Sequence, residues 1–174
     1  MRFAADLSGR VSTLQFVQNV LSFLQLMIDH FNPSRIFLTG CEVAFEPNCT
    51  TGPTVPRAAA LFGIYRKRAT AAFWQSHGLK VIVDLNICDD ALDLTLLGVP
   101  QGWRSYATRS HRGDSPGDHL RRHRMAVERA GTEDVLFILV GGGKAARGLC
   151  DAHGWVHVPE HCRVVRGGLV AYGG

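Results

Sequence analysis

Two kinds of apolar pattern alternate along this chain. The clearest is Val135 to Val140, six consecutive apolar residues followed at once by Gly141, Gly142, Gly143 and Lys144 and then a helix-forming run, Ala145 to Ala152. A continuous apolar run of that length reads as a strand buried on both faces, as in a parallel sheet. Leu79 to Leu85, centred on Val81, Ile82 and Val83, has the same character, and Ser34 to Thr39, Trp103 to Thr108 and Gly154 to Val158 read as further strands. Between them the period changes to three and four. Leu14, Val17, Leu21, Leu24, Ile28 and Phe31 step along one helical face behind a Ser12-Thr-Leu-Gln15 capping pattern, and Asn32-Pro33 stops the helix. A second stripe of Phe16, Val20, Phe23 and Met27 makes this helix, 13–31, apolar over most of its girth. It is expected to lie in the core or in a subunit interface.

Further helices are expected from Pro56 to Ser76, from Ala91 to Leu97 and from Asp118 to Ala130. Arg66-Lys67-Arg68 reads as a solvated turn of the first of these. Three prolines, a glycine and three threonines make Glu46 to Pro56 a long loop. Arg163 to Tyr172 reads as a hairpin turning at Gly167-Gly168. Strands alternating with helical runs predict an α/β fold over residues 1–174: one domain, a mostly parallel central sheet with flanking helices, and a C-terminal β-hairpin at 163–172.

Composition narrows the class without changing it. At 174 residues and 46% apolar, the chain can bury the core of one domain. No apolar run approaches a membrane span, and Asp6 interrupts the opening residues before a signal-peptide core could form. A soluble cytoplasmic protein with no membrane partner is expected. Five scattered cysteines without a CxxC pair suit reduced thiols rather than a disulfide framework. The net charge of +4 sits in one place: Gln101 to Ala130 holds seven arginines against Asp114, Asp118 and Glu128, so the rest of the chain is balanced. That segment, with His111, His119 and His123 inside it, favours phosphate-rich partners. Arg112, Arg121, Arg122 and Arg129 are its candidate nucleic-acid contacts; a solvated arginine-rich helix is the plain alternative.

In open parallel sheets, ligands bind beyond the carboxyl ends of the strands. On these strand boundaries, those ends deliver Thr39 and Glu42, then Asp84 and Asn86, then Arg109, then Gly141, Gly142, Gly143 and Lys144. A glycine turn opening a helix aims backbone N–H groups at an anion, although strand-to-helix turns need glycine on their own account. Glu42 and Asp84 are candidate ligands for a divalent cation bridging to a phosphate-bearing ligand. The loop is neither a Walker A motif, since Ala145 stands where a magnesium-binding Ser or Thr belongs, nor a dinucleotide fingerprint, since Ala146 replaces the last glycine. His157-Val-Pro-Glu-His161 has the letters of an inverted zincin, but Pro159 within it argues against the required helix. Cys150, His153, His157, His161 and Cys162 form a looser candidate cluster for a structural metal.

The segments Asn32–Leu38, Phe73–Asn86 and Gly98–Trp103, with the strand ending in three glycines, resemble an uncharacterised family of phage, plasmid and bacterial proteins over residues 32–143. That family has no assigned activity. The resemblance implies a mobile-element protein. Joined to the basic segment, it leads to an expected nucleic-acid partner, with replication as one setting. A nucleotide-binding enzyme or sensor with a strand-end pocket is the first alternative. A homo-oligomeric interaction protein using the N-terminal helix is the second.

Overall fold

A computed structural model describes residues 33–49, 55–87 and 89–159. The expected N-terminal helix and C-terminal hairpin lie outside them. Among the described residues five strands, β1 (Val43–Phe45), β2 (Lys80–Asp84), β3 (Ser105–Ser110), β4 (Leu136–Gly141) and β5 (Val156–Val158), form one sheet in sequential order. Every pairing is parallel. Helix α1 (Arg57–Ser76) joins β1 to β2, α2 (Pro116–Ala130) joins β3 to β4, and α3 (Gly143–His153) joins β4 to β5. The expected α/β class with a parallel central sheet is the observed one.

The register sets the faces. Val83 pairs with Tyr106 and Tyr106 with Phe137, so these residues and Leu139 share one face of the sheet. They cluster with Ala126 of α2 and with Ala146 and Cys150 of α3. Phe137, Ile138 and Leu139 at the centre of β4 are all buried, as its unbroken apolar run requires.

Several boundaries differ from expectation: β3 runs Ser105–Ser110 rather than Trp103–Thr108, so Arg109 lies within the strand and not after it, and of two further differences one matters. Ser34 to Thr39 is not the first strand; Pro33–Thr39 is a 3-10 helix. Pro33 presets a helical φ. The Thr39 hydroxyl donates to the Ile36 carbonyl (2.7 Å) and accepts from the Cys41 N–H (3.3 Å), closing the turn, and Gly40 leaves it at φ +67°. The first strand is instead the buried Val43-Ala-Phe45. Thr39 and Glu42 therefore precede β1 and stand at the amino edge of the sheet, where the Glu42 carbonyl accepts from the Lys80 N–H at the start of β2 (2.9 Å). Glu46 takes the position just after β1. The second difference is smaller: Asp89–Leu94 is a 3-10 helix with a kink at Ala91, shorter than the expected helix over Ala91–Leu97.

Candidate functional site

The carboxyl edge carries a polar network that runs from the end of β1 to the end of β3. Its anchor is on α1. The buried face of that helix is Ala60, Gly63, Ile64, Lys67, Thr70, Ala71 and Trp74, spaced at threes and fours, and Lys67 falls in the middle of it. Arg66-Lys67-Arg68 is thus not a solvated turn: Arg66 is exposed, Lys67 is 1% exposed, and Arg68 is half-buried. The Lys67 ammonium reaches the Asp84 carboxylate (2.8 Å) and donates to the Asp84 and Asn86 carbonyls (3.0 and 3.3 Å). Arg68 pairs with Glu46 and donates from Nε to the Leu97 carbonyl (2.8 Å), while Glu46 accepts from the Asp84 N–H (3.0 Å). Two buried carboxylates each have their own cation, the condition under which buried charge is tolerated.

Asp84 also accepts from the Asn86 N–H (3.0 Å), which orients Asn86 toward the next strand end. There the Asn86 Oδ1 takes a hydrogen bond from His111 Nε2 (2.7 Å). An amide oxygen can only accept, so Nε2 carries the proton. The His111 N–H donates to Asp114 (2.9 Å), and Asp114 lies 3.6 Å from Arg122.

Beyond His111 the edge opens into a cavity of about 640 Å³ whose lining includes Ser110, His111, Arg112, His119, Gly142 and Ala146. Helices α2 and α3 both begin here, and they differ. The α2 N-terminus is closed by a capping box: Ser115 Oγ accepts from the Asp118 N–H and the Asp118 carboxylate accepts from the Ser115 N–H. That bond from the Ser115 N–H, with a second from its hydroxyl, holds the Asp118 carboxyl below its ordinary range. The α3 N-terminus has Gly142 as its cap residue and no side-chain cap. Its first N–H groups lack intrahelical acceptors, and no side chain among the described residues caps them. Gly142 adopts φ +72°, and a Cβ there would stand 2.5 Å from Ser110 Oγ and 2.6 Å from the Ala146 Cβ. Only glycine permits this approach of β3 to α3.

Two side chains by the cavity are buried without full satisfaction. His119 is 3% exposed; its Nε2 lies 3.2 Å from Ser110 Oγ, and its Nδ1 has no hydrogen-bond partner among the described residues. Arg122 is 4% exposed, and its Nε and Nη1 likewise lack one. Burial holds the His119 ring below its ordinary range, against the nearby Asp114 carboxylate. It does the same to His123, which packs edge-on to Phe137 (5.0 Å) and against Trp155 (4.8 Å). A histidine whose folded value is depressed binds protons more readily when unfolded. Its contribution to stability is full above its unfolded value of about 6.5 and is lost as pH falls below that. The unfolding free energy, measured by denaturant titration, is expected to decline as pH drops from neutral through that window; a flat profile would show that neither ring is sequestered.

The expected site residues separate accordingly. Asn86 belongs to the edge network, Gly142 stands where that network meets the cavity, and Arg112 lines the cavity. Gly141 ends β4, its carbonyl accepting from His157 Nε2 (2.9 Å). Gly143 and Lys144 begin α3, with Lys144 exposed. Arg109 alternates with Ser110 and lies on the opposite face of the sheet. Thr39 and Glu42 are at the amino edge. Glu42 and Asp84 do not meet: the five residues of β2 separate them, about 16 Å at ~3.3 Å per residue. Among the described residues no group of three or more His, Cys, Asp and Glu side chains could hold a metal. Of the C-terminal cluster, His161 and Cys162 lie outside the described residues, and burial pushes the Cys150 thiol up to about 11.

The basic segment does not form one surface either. Arg112 and Arg121 are exposed, Arg122 points inward, and Arg129 donates to the Val99 carbonyl (3.3 Å) near the far end of α2. Lys67, Arg68 and Glu46 are the residues that sequence reasoning passed over. The helical phase of α1 carried the signal for Lys67; nothing local marked Glu46.

Among the described residues no helix is long and apolar enough to cross a membrane. No family model and no solved structure matches the chain. The chain is similar to a phage protein: it is 36% identical over 76 residues to the Gene 1 protein of Mycobacterium phage D29, a stretch that covers 41% of this chain and 27% of the phage protein.

Proposed function

We propose that this chain is a mobile-element protein that binds a nucleotide-sized, phosphate-bearing ligand in the cavity between the carboxyl ends of β3 and β4. One observation carries the reading. The uncapped start of α3 opens on the same cavity as Arg112 and the buried, incompletely bonded His119. A phosphate there would receive the α3 N–H groups and the Arg112 guanidinium. The cavity volume falls within the range of small-molecule sites. The likeness to a phage protein supports the mobile-element setting.

Isothermal titration with inorganic pyrophosphate and with nucleoside mono-, di- and triphosphates tests this. Arg112 is exposed, so Arg112→Ala should leave the thermal midpoint unchanged while weakening binding at least tenfold, the scale of one lost hydrogen bond to a charged group, about 1.5–3 kcal/mol. No heat from any of these ligands would sink the proposal.

A second reading, nucleic acid, draws on the exposure of Arg112 at the cavity and of Arg121 and Arg124 on α2. It requires affinity for oligonucleotides that falls steeply with salt, by a log–log slope of about 0.9 per neutralised phosphate. Nucleotide binding with no such slope decides for the smaller ligand.

A further inference from the structure

We propose that Ser110 and His119 form a nucleophile–base pair that takes a phosphoryl group from the ligand of this cavity, a phosphate monoester or anhydride. The inference rests on the phosphate-site reading and adds a reaction to it. Ser110 is the last residue of β3, half-buried, and lines the cavity. Its Oγ is 3.2 Å from His119 Nε2, within reach for a nucleophile and its base. The same Oγ stands 2.5 Å from where a Gly142 Cβ would be, so it abuts the uncapped start of α3. A phosphoryl group held by the α3 N–H donors would therefore have its phosphorus beside the serine oxygen. Those donors would carry the charge that builds on its equatorial oxygens. The histidine is fixed in the buried face of α2, which keeps the ring in place without a third residue.

The step balances within the site. The Ser110 hydroxyl proton passes to His119 Nε2 as Oγ bonds to phosphorus. The bond from phosphorus to the leaving oxygen breaks, its electron pair stays on that oxygen, and His119 returns the proton to it. Water then repeats the sequence on the phosphoserine: its proton goes to Nε2, its oxygen bonds to phosphorus, and Ser110 Oγ leaves and regains a proton. In the base-competent tautomer Nδ1 carries the ring hydrogen. The titratable and charged groups facing the ring are Asp114, Arg122, Asp118 and His111.

Diisopropyl fluorophosphate tests the pair directly, because an activated serine displaces its fluoride and keeps the phosphoryl group. Peptide mass spectrometry of the treated chain is expected to find the adduct on Ser110. It should be absent in Ser110→Ala and formed at least ~100-fold more slowly in His119→Gln. In the unsubstituted chain the labelling rate should rise with pH and reach its plateau at a lower pH than a solvent-exposed imidazole would give, because burial depresses the His119 ionisation. This profile decides the matter if His119→Gln does not fold. No adduct on Ser110, or a rate that climbs in proportion to hydroxide through the alkaline range, overturns the proposal. Ligand binding without Ser110 labelling removes only the transfer step, whereas the absence of any ligand binding removes the phosphate site beneath it.

Discussion

Replacing Lys67 with methionine is expected to destabilise the fold by about 3–5 kcal/mol, the cost of stranding one member of a buried ion pair. Methionine keeps the apolar stem of the lysine on the buried helix face that also carries Ile64, Ala71 and Trp74. The loss is therefore electrostatic: the Asp84 carboxylate would lie buried with its cation gone, and the Asp84 and Asn86 carbonyls would each lose a donor. Adding Asp84→Asn removes the stranded charge while keeping an oxygen for the Asn86 N–H, and the double variant should recover about half of the loss. Urea denaturation of the two variants measures it. A single-variant cost under about 1 kcal/mol would mean that the pair is hydrated and does not organise the edge. The effect should also reach the cavity, because Asn86, held by Asp84, is what orients His111.

The second large effect is expected at Gly142, where alanine meets two penalties at once. A left-handed φ of +72° costs a non-glycine residue about 1–2 kcal/mol. The added Cβ would also stand 2.6 Å from the Ala146 Cβ and 2.7 Å from the Ser110 Cβ, so β3 and α3 must part. Overpacking of that kind costs about 1–3 kcal/mol more. Parting them moves the α3 N–H groups away from Ser110 and His119. Gly142→Ala should lose phosphate affinity as well as a total of about 2–5 kcal/mol in stability. Gly148→Ala is the control: it lies on the same helix, a Cβ there meets nothing within 4 Å, and its φ is ordinary. It should be neutral or slightly stabilising. Equal effects at the two glycines would show that α3 tolerates neither side chain for reasons unconnected with the cavity.

Some of this site is legible residue by residue. The glycine turn after Val135–Val140 is where the α3 N-terminus opens, and Asn86 is a strand-end residue that reaches a neighbouring loop. Thr39 and Glu42 are misplaced by sequence alone because Ile36, Phe37 and Leu38 suit a strand as well as a 3-10 turn. Only the closure by Thr39 and the positive φ of Gly40 distinguish the two. That shift of a few residues moves both from the carboxyl edge to the amino edge. Arg122 reads with Arg121 as a surface charge, yet adjacent helical positions are about 100° apart and only one can face the sheet.

What the sequence by itself determined is the repeating architecture. Local periodicity and continuous apolar runs are short-range properties, and they specify parallel strands alternating with helices without reference to partners. The tertiary structure alone decided which charges meet. Lys67 finds Asp84 across 17 residues, Arg68 finds Glu46 across 22 and His111 finds Asn86 across 25. None of these pairings has a local signature, because a buried charge is stabilised by whatever partner the fold brings within a few ångströms. The chain's only local record of it is an ionisable residue in an apolar phase.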